Sequence, residues 1–274
     1  MPTPLQTLRA ALRYEMALGG PFIPLGAPLA VPEAVVPEAP VSSPPLPPTE
    51  AAMPTHDLFG HAIDPTRDPA RSPYERIAAL IPEDSPLRDM KTLEEVEEYA
   101  RTHVLTPIDE ARQNLVFGVG NPHADLMIIG EAPGADEDRK GEPFVGRAGQ
   151  LLDKILAAIN FGRDEVYITN ILKSRPPGNR DPLPEETAAH LPLLYKQIAL
   201  VKPKILLAVG RTAGNALLGR KSSLASLRGK FHDFYGLPLL VTYHPAALLR
   251  NPQWKRPTWE DVKLLRTRYD QLVG

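Results

Sequence analysis

The sequence predicts an α/β fold, a three-layer sandwich with helices on both faces of a central four-stranded parallel sheet. Three observations carry that expectation. Short apolar runs alternate with amphipathic ones from Leu126 onward, the pattern of a parallel sheet wrapped on both faces. Each apolar run ends in a polar cluster: Gly130-Glu131, then Asn170, then Gly210-Arg211, then Tyr243-His244-Pro245. The first run also opens into a glycine-punctuated loop that continues to Ala148-Gly149. In open α/β sheets, ligands bind beyond the carboxyl ends of the strands, so the four clusters should meet at one rim.

In chain order, Leu5, Leu8, Leu12 and Met16 have the spacing of a short amphipathic helix within residues 1–18. Residues 21–54 are about one third proline, with too little large apolar content to fold alone. Residues 1–71 are therefore expected to be a disordered, proline-rich extension, and 72–274 the folded domain, opening near Ser72-Pro73-Tyr74. An acidic helix is expected from Lys91 to Arg101, with Leu93, Val96 and Ala100 on one face. Strands are expected at Leu126–Ile129, Val166–Thr169, Ile205–Val209 and Leu239–Thr242. Helices are expected at Gln150–Ile159, Glu185–Leu200, Ala213–Leu218 and Thr258–Leu272.

Composition sets further bounds. Cysteine is absent from all 274 residues, which excludes disulfides, thiolate metal sites and cysteine nucleophiles. No apolar run is long enough to span a membrane, and the N-terminus lacks the pattern of a signal peptide, so a cytoplasmic protein is expected. The net charge of −2 conceals a division. Residues 1–138 carry 9 Lys and Arg against 22 Asp and Glu, and residues 139–274 carry 22 against 11. A basic half joined to an acidic one suits a surface that faces nucleic acid.

The rim residues suggest a reaction. Asn170 offers an amide donor and an acceptor to a flat heterocycle, and Phe144 a face to stack on it. His244 can donate to a developing anion, and Glu131 or Glu137 can orient a water. That is equipment for breaking an N-glycosidic bond, where the sugar becomes oxocarbenium-like and the base leaves as an anion. Each residue alone has a plainer explanation as a cap, a core side chain or a solvated carboxylate. Their placement at successive strand ends favours a site.

The matching motifs are Gly130-Glu131-Ala132-Pro133-Gly134 through Glu137-Asp138, then Gly141 to Gly149, then Tyr167 to Lys173. Arg175-Pro176-Pro177-Gly178-Asn179-Arg180 and His244 to Pro252 complete the set. In this order and spacing the chain resembles the uracil-DNA glycosylase superfamily, specifically its thermostable family-four type, over roughly residues 100–273.

The resemblance implies a uracil-DNA glycosylase-like fold and a monofunctional hydrolase of base excision repair. Glu131 would hold the catalytic water or the sugar side of the transition state. Phe144 would stack on the flipped uracil, Asn170 pair with its edge, and His244 stabilise the departing base. Gly130, Ala132, Pro133, Gly134 and Glu137 would complete the substrate pocket. Arg175 would contact DNA, and Ala246, Leu248, Leu249 and Arg250 would enter the duplex behind the extruded base. The partner implied is uracil-containing single- or double-stranded DNA, bound by a monomer.

One departure stands out. Family-four enzymes hold a four-iron cluster on four cysteines, and the corresponding positions here look like His103, Thr106, Ser174 and His190. Hydroxyls are poor ligands for such a cluster and for Zn²⁺, so no cofactor is expected, and packing with hydrogen bonds should replace the staple. The superfamily branch that traps the sugar covalently carries a basic insertion ending in histidine. Residues 171–186 contain none. Two rivals remain: a glycosylase for another deaminated base, such as hypoxanthine, and a catalytically weak DNA-binding member.

Overall fold

A computed structural model describes residues 71–274. The expectations for residues 1–18 and 21–54 lie outside the described residues. Six strands are β1 Val119–Gly120, β2 Leu126–Gly130, β3 Tyr167–Asn170, β4 Ile205–Val209, β5 Phe231–Phe234 and β6 Leu237–Thr242. Ten α-helices accompany them among the described residues. They are α1 Pro73–Ala78, α2 Leu93–Thr102, α3 Pro107–Ala111, α4 Ala135–Lys140 and α5 Arg147–Ala158. After these come α6 Pro184–Val201, α7 Arg211–Leu218, α8 Leu224–Leu227, α9 Pro245–Arg250 and α10 Lys255–Val273.

The sheet order is β1-β3-β2-β4-β6-β5, and its four central strands are parallel. The expected four-stranded sheet is thus present, extended by an antiparallel strand at each edge. Central strands such as Leu126–Gly130 are buried at every residue, as expected where helices cover both faces. Alternation sorts their side chains. Met127, Ile129, Leu206 and Ala208 pack with α6 and α7, while Leu126, Ile128, Ile205 and Leu207 pack with α5 and α10. These are the three layers.

Local chemistry sets the ends. Ser72 caps α1 and Thr92 caps α2, each in a reciprocal capping box with the glutamate three residues on. The hairpin joining β5 to β6 turns on Tyr235 and Gly236, at φ +52° and +98°. Two left-handed residues between antiparallel strands match strand twist.

Candidate active site

The base of the cleft is set by strand register. Gly130, the last residue of β2, lies opposite Asn170, the last residue of β3. A methyl group built on Gly130 would stand 2.2 Å from Asn170 Oδ1 and 2.6 Å from Phe144 Cζ. Only a glycine lets the amide and the ring approach so closely. On the other side of the sheet centre, Gly210 follows β4 at φ +105°, its position for a Cβ 3.3 Å from that of His244. The Phe144 and His244 rings stack with centroids 5.5 Å apart and 30° between planes. Gly130, Phe144, Asn170 and His244 therefore form one neighbourhood, although 114 positions separate the first from the last.

Phe144 is held there against its backbone preference. Its φ of +54° is left-handed, a conformation bulky residues rarely adopt. Two contacts impose it. The Glu137 carboxylate accepts hydrogen bonds from the N–H groups of Val145 and Gly146, both at 3.0 Å, and of Gly134, at 3.1 Å. From the opposite side α5 presents Gly149, where a Cβ would fall 1.8 Å from the Phe144 carbonyl oxygen. Glu137 thus shapes the pocket through backbone, at the third position of α4, instead of facing a ligand. Strain fixed by its surroundings is common where a side chain must meet a ligand.

Asn170 is only 2% exposed, yet its Oδ1 has no hydrogen-bond partner among the described residues. A buried unpaired acceptor costs about 1–3 kcal/mol, so such a group reads as one kept for a ligand. His244 accepts the Ala246 N–H at Nδ1, 3.2 Å away. That bond fixes the neutral tautomer with its proton on Nε2. Burial, reinforced by the positive charge of Arg250 and opposed by Glu137, pushes the His244 pKa down to about 4. At neutral pH the ring is therefore an uncharged donor.

Glu131 points to the other flank of β2. Its carboxylate accepts a hydrogen bond from the Thr212 side chain, at the start of α7. Burial raises its pKa, the Thr212 bond opposes this, Asp181 adds to it and Arg211 counters it. Thr212 is a site residue that the sequence reading passed over, although it stands two positions after the Gly210 strand end.

The remaining expected residues divide. Pro133 is buried, Ala132 packs on the core beside α6 and α7, and Gly134 anchors α4. Arg175 is half-buried and bonds Asn179 at 2.7 Å. Ala246 is half-buried, and Leu249 and Arg250 are exposed, Leu249 at 41%. Leu248 corrects the expectation of a four-residue wedge: it is 0% exposed and packs in the core with α5. A short helix turns one of two adjacent leucines inward, leaving Leu249 as the exposed one of the pair.

The four positions expected to match the cluster are also only partly together. Thr106, Ser174 and His190 surround Asp109. Its carboxylate accepts the backbone N–H groups of Leu105 (3.0 Å) and Thr106 (2.9 Å), and the Ser174 hydroxyl. His190 Nε2 and Arg112 Nη1 each approach it at 3.4 Å. Burial would raise the Asp109 carboxyl, but His190, Ser174 and the Thr106 backbone together hold it well below the usual carboxylate range. His103 lies apart, stacked on Tyr99 at 4.0 Å. A carboxylate at the centre, with hydroxyls and no thiolate around it, does not fit an iron–sulfur cluster. No group of three His, Asp or Glu suited to a metal occurs among the described residues.

The profile of the Uracil DNA glycosylase superfamily matches residues 117–263. A type-4 uracil-DNA glycosylase of Archaeoglobus fulgidus is 40% identical over 164 residues, which cover 57% of this chain and 82% of that protein. One of Saccharolobus solfataricus is 43% identical over 164 residues, covering 57% and 76%. One of Thermotoga maritima is 39% identical over 175 residues, covering 62% and 91%. With a family profile matched over more than half its length, the chain belongs to the uracil-DNA glycosylase superfamily.

Proposed function

We propose that this chain is a monofunctional uracil-DNA glycosylase, a DNA-repair hydrolase that extrudes uracil from single- or double-stranded DNA and cleaves its N-glycosidic bond. The observation that carries this reading is the grouping of three side chains: the Phe144 ring stacked on His244, the unpaired amide oxygen of Asn170, and the uncharged N–H donor of His244. A pyrimidine seated on Phe144 would pair its N3–H with Asn170 Oδ1. His244 Nε2–H would donate to a ring carbonyl oxygen, where negative charge gathers as the bond breaks. A neutral imidazole suits that role, since it strengthens its hydrogen bond to the anion without first giving up a proton.

The sugar would lie over the Gly130–Glu131 strand end, between the base pocket and the Glu131 carboxylate. As the C1′–N1 bond breaks, its electron pair leaves with the base. A water oriented by Glu131 then bonds to C1′ from the opposite flank and loses its proton to that side. Burial, which raises the Glu131 carboxyl, makes it a better proton acceptor. Leu249 would fill the stack behind the extruded base, offsetting an unstacking cost of ~ a few kcal/mol, with exposed Arg250 on a phosphate. The proposal includes action as a monomer. No helix among the described residues is long and apolar enough to cross a membrane. A cytoplasmic location is part of the same proposal. The same proposal assigns the staple to Asp109, which ties together the segments that a cluster would have joined, with no metal.

The test is release of free base from uracil-containing oligonucleotides by metal-free, folded protein. Uracil release with the backbone left intact until alkali is added is the expected result. A folded sample that frees hypoxanthine but not uracil, or no base at micromolar concentration, rejects the proposal.

A further inference from the structure

The largest fully buried side chain that the mechanism leaves unused is Lys173. It is 0% exposed, and among the described residues no carboxylate is bonded to it. Its Nζ lies 2.7 Å from the Asn170 carbonyl oxygen, 2.7 Å from Thr169 Oγ1 and 2.5 Å from Gln197 Oε1. The orientation of two of these acceptors is settled elsewhere. Thr169 spends its hydroxyl proton on the Phe117 carbonyl, at 2.7 Å. Gln197 directs Nε2 to the same carbonyl at 3.1 Å and to Tyr167 Oη at 3.2 Å. Three lone pairs therefore converge on Nζ, matching the three protons of an ammonium. A neutral amine would turn its own lone pair toward one of them.

Burial pushes the Lys173 pKa well below the ordinary lysine value. Three acceptors within hydrogen-bond reach favour an ammonium over a neutral amine, and the Phe117 ring, 5.9 Å from Nζ, adds a favourable face. A buried charge with no counterion is costly, and structures keep such groups at sites of function.

We infer that Lys173 is an electrostatic positioning residue for base release. Its ammonium holds the Asn170 peptide beneath the pocket and supplies the positive field that stabilises the anionic leaving base. The inference rests on the proposed glycosylase reading. It assigns the two halves of leaving-group stabilisation to different groups: a short-range hydrogen bond from neutral His244, and a longer-range positive potential from beneath Asn170. A low-dielectric interior transmits such a field with little screening.

The experiment compares single-turnover release of uracil with that of 5-fluorouracil from the same oligonucleotide. Fluorine stabilises the departing anion, so the second base depends less on help from the protein. Lys173→Met keeps the length and removes the charge. It should slow uracil release about 100-fold and 5-fluorouracil release about 10-fold, widening the ratio between them. Gln197→Glu leaves the lysine in place but neutralises its field with an adjacent carboxylate, and should widen the ratio in the same direction. It serves alone should Lys173→Met fail to fold, with melting temperature recorded for both. Equal slowing of the two bases, or no slowing, in a folded variant overturns the inference while leaving the glycosylase reading intact. Wild-type protein that releases neither base overturns both.

Discussion

Gly130→Ala tests the packing that brings the site together. The added methyl would stand 2.2 Å from Asn170 Oδ1 and 2.6 and 2.8 Å from two Phe144 ring carbons. Ordinary contact is about 3.5 Å, so each neighbour would have to retreat by roughly 1 Å. The backbone has no room to yield, because Gly130 is in register with Asn170 on one side of β2, and β4 runs along the other. Asn170 and Phe144 are 2% and 5% exposed, so neither swings freely into solvent. Overpacking of this kind costs about 1–3 kcal/mol. In a domain of this size that lowers Tm by roughly 2–12 °C. The effect on rate should be larger, because a displacement of about 1 Å between reacting groups costs on the order of 100-fold. Single-turnover uracil release, measured well below the variant's Tm, gives the answer. A rate within threefold of wild type would show that Gly130, Asn170 and Phe144 do not jointly hold the base.

His244 makes stability depend on pH. Its folded pKa of about 4 lies below the unfolded value of about 6.5, so between these values the unfolded chain binds a proton that the folded one refuses. Stability should rise with pH across that window, by up to about 1.4 kcal/mol per unit, and this contribution should be constant above it. His244→Gln should shrink the Tm difference between pH 5 and pH 7, and an undiminished difference would count against the assignment. At Asp109 the prediction concerns stability without catalysis. Asp109→Asn breaks a buried ionic hub, at a cost of about 3–5 kcal/mol, and should lower Tm by roughly 6–20 °C. Uracil release by the folded protein at 25 °C should fall less than about tenfold; an unchanged Tm would show that Asp109 is no staple.

What the sequence made legible follows from period and chain order. The central strands could be placed because each is a mostly apolar run that ends in polar residues, as Leu126–Ile129 does at Gly130-Glu131. The edge strands lack that signature. β1 has two residues, and β5 reads Phe-His-Asp-Phe beside a Tyr235-Gly236 turn whose first residue is no usual turn former. Within the rim, residue types pointed to a site but not to directions. Glu137 looks like a ligand-facing carboxylate in the sequence, yet three backbone N–H groups claim it. Leu248 and Leu249 are equivalent in composition, and only the phase of α9 against α5 separates them. Thr212 and Lys173 act through contacts with residues far along the chain, or through burial, which a local pattern does not display.

One carboxylate joins the segments that carry three of the four positions expected to match the cluster. Asp109 bonds its own turn at Leu105 and Thr106 and the segment after β3 through Ser174, and it faces His190 of α6, whose Nε2 lies 3.4 Å away. His103, the fourth expected position, is not needed for that closure and stacks on Tyr99 instead. The hub meets the pocket at Lys173, whose backbone N–H bonds His190 Nδ1 at 3.1 Å while its Nζ bonds the Asn170 carbonyl. Four residues, 170–173, therefore join the Asp109 hub to the Asn170 strand end. A hydrogen-bonded hub yields under acid, since protonating Asp109 removes its charge, and its depressed pKa confines that loss to pH below the ordinary carboxylate range. Near neutral pH the carboxylate remains a fixed anchor for the segment that carries Asn170.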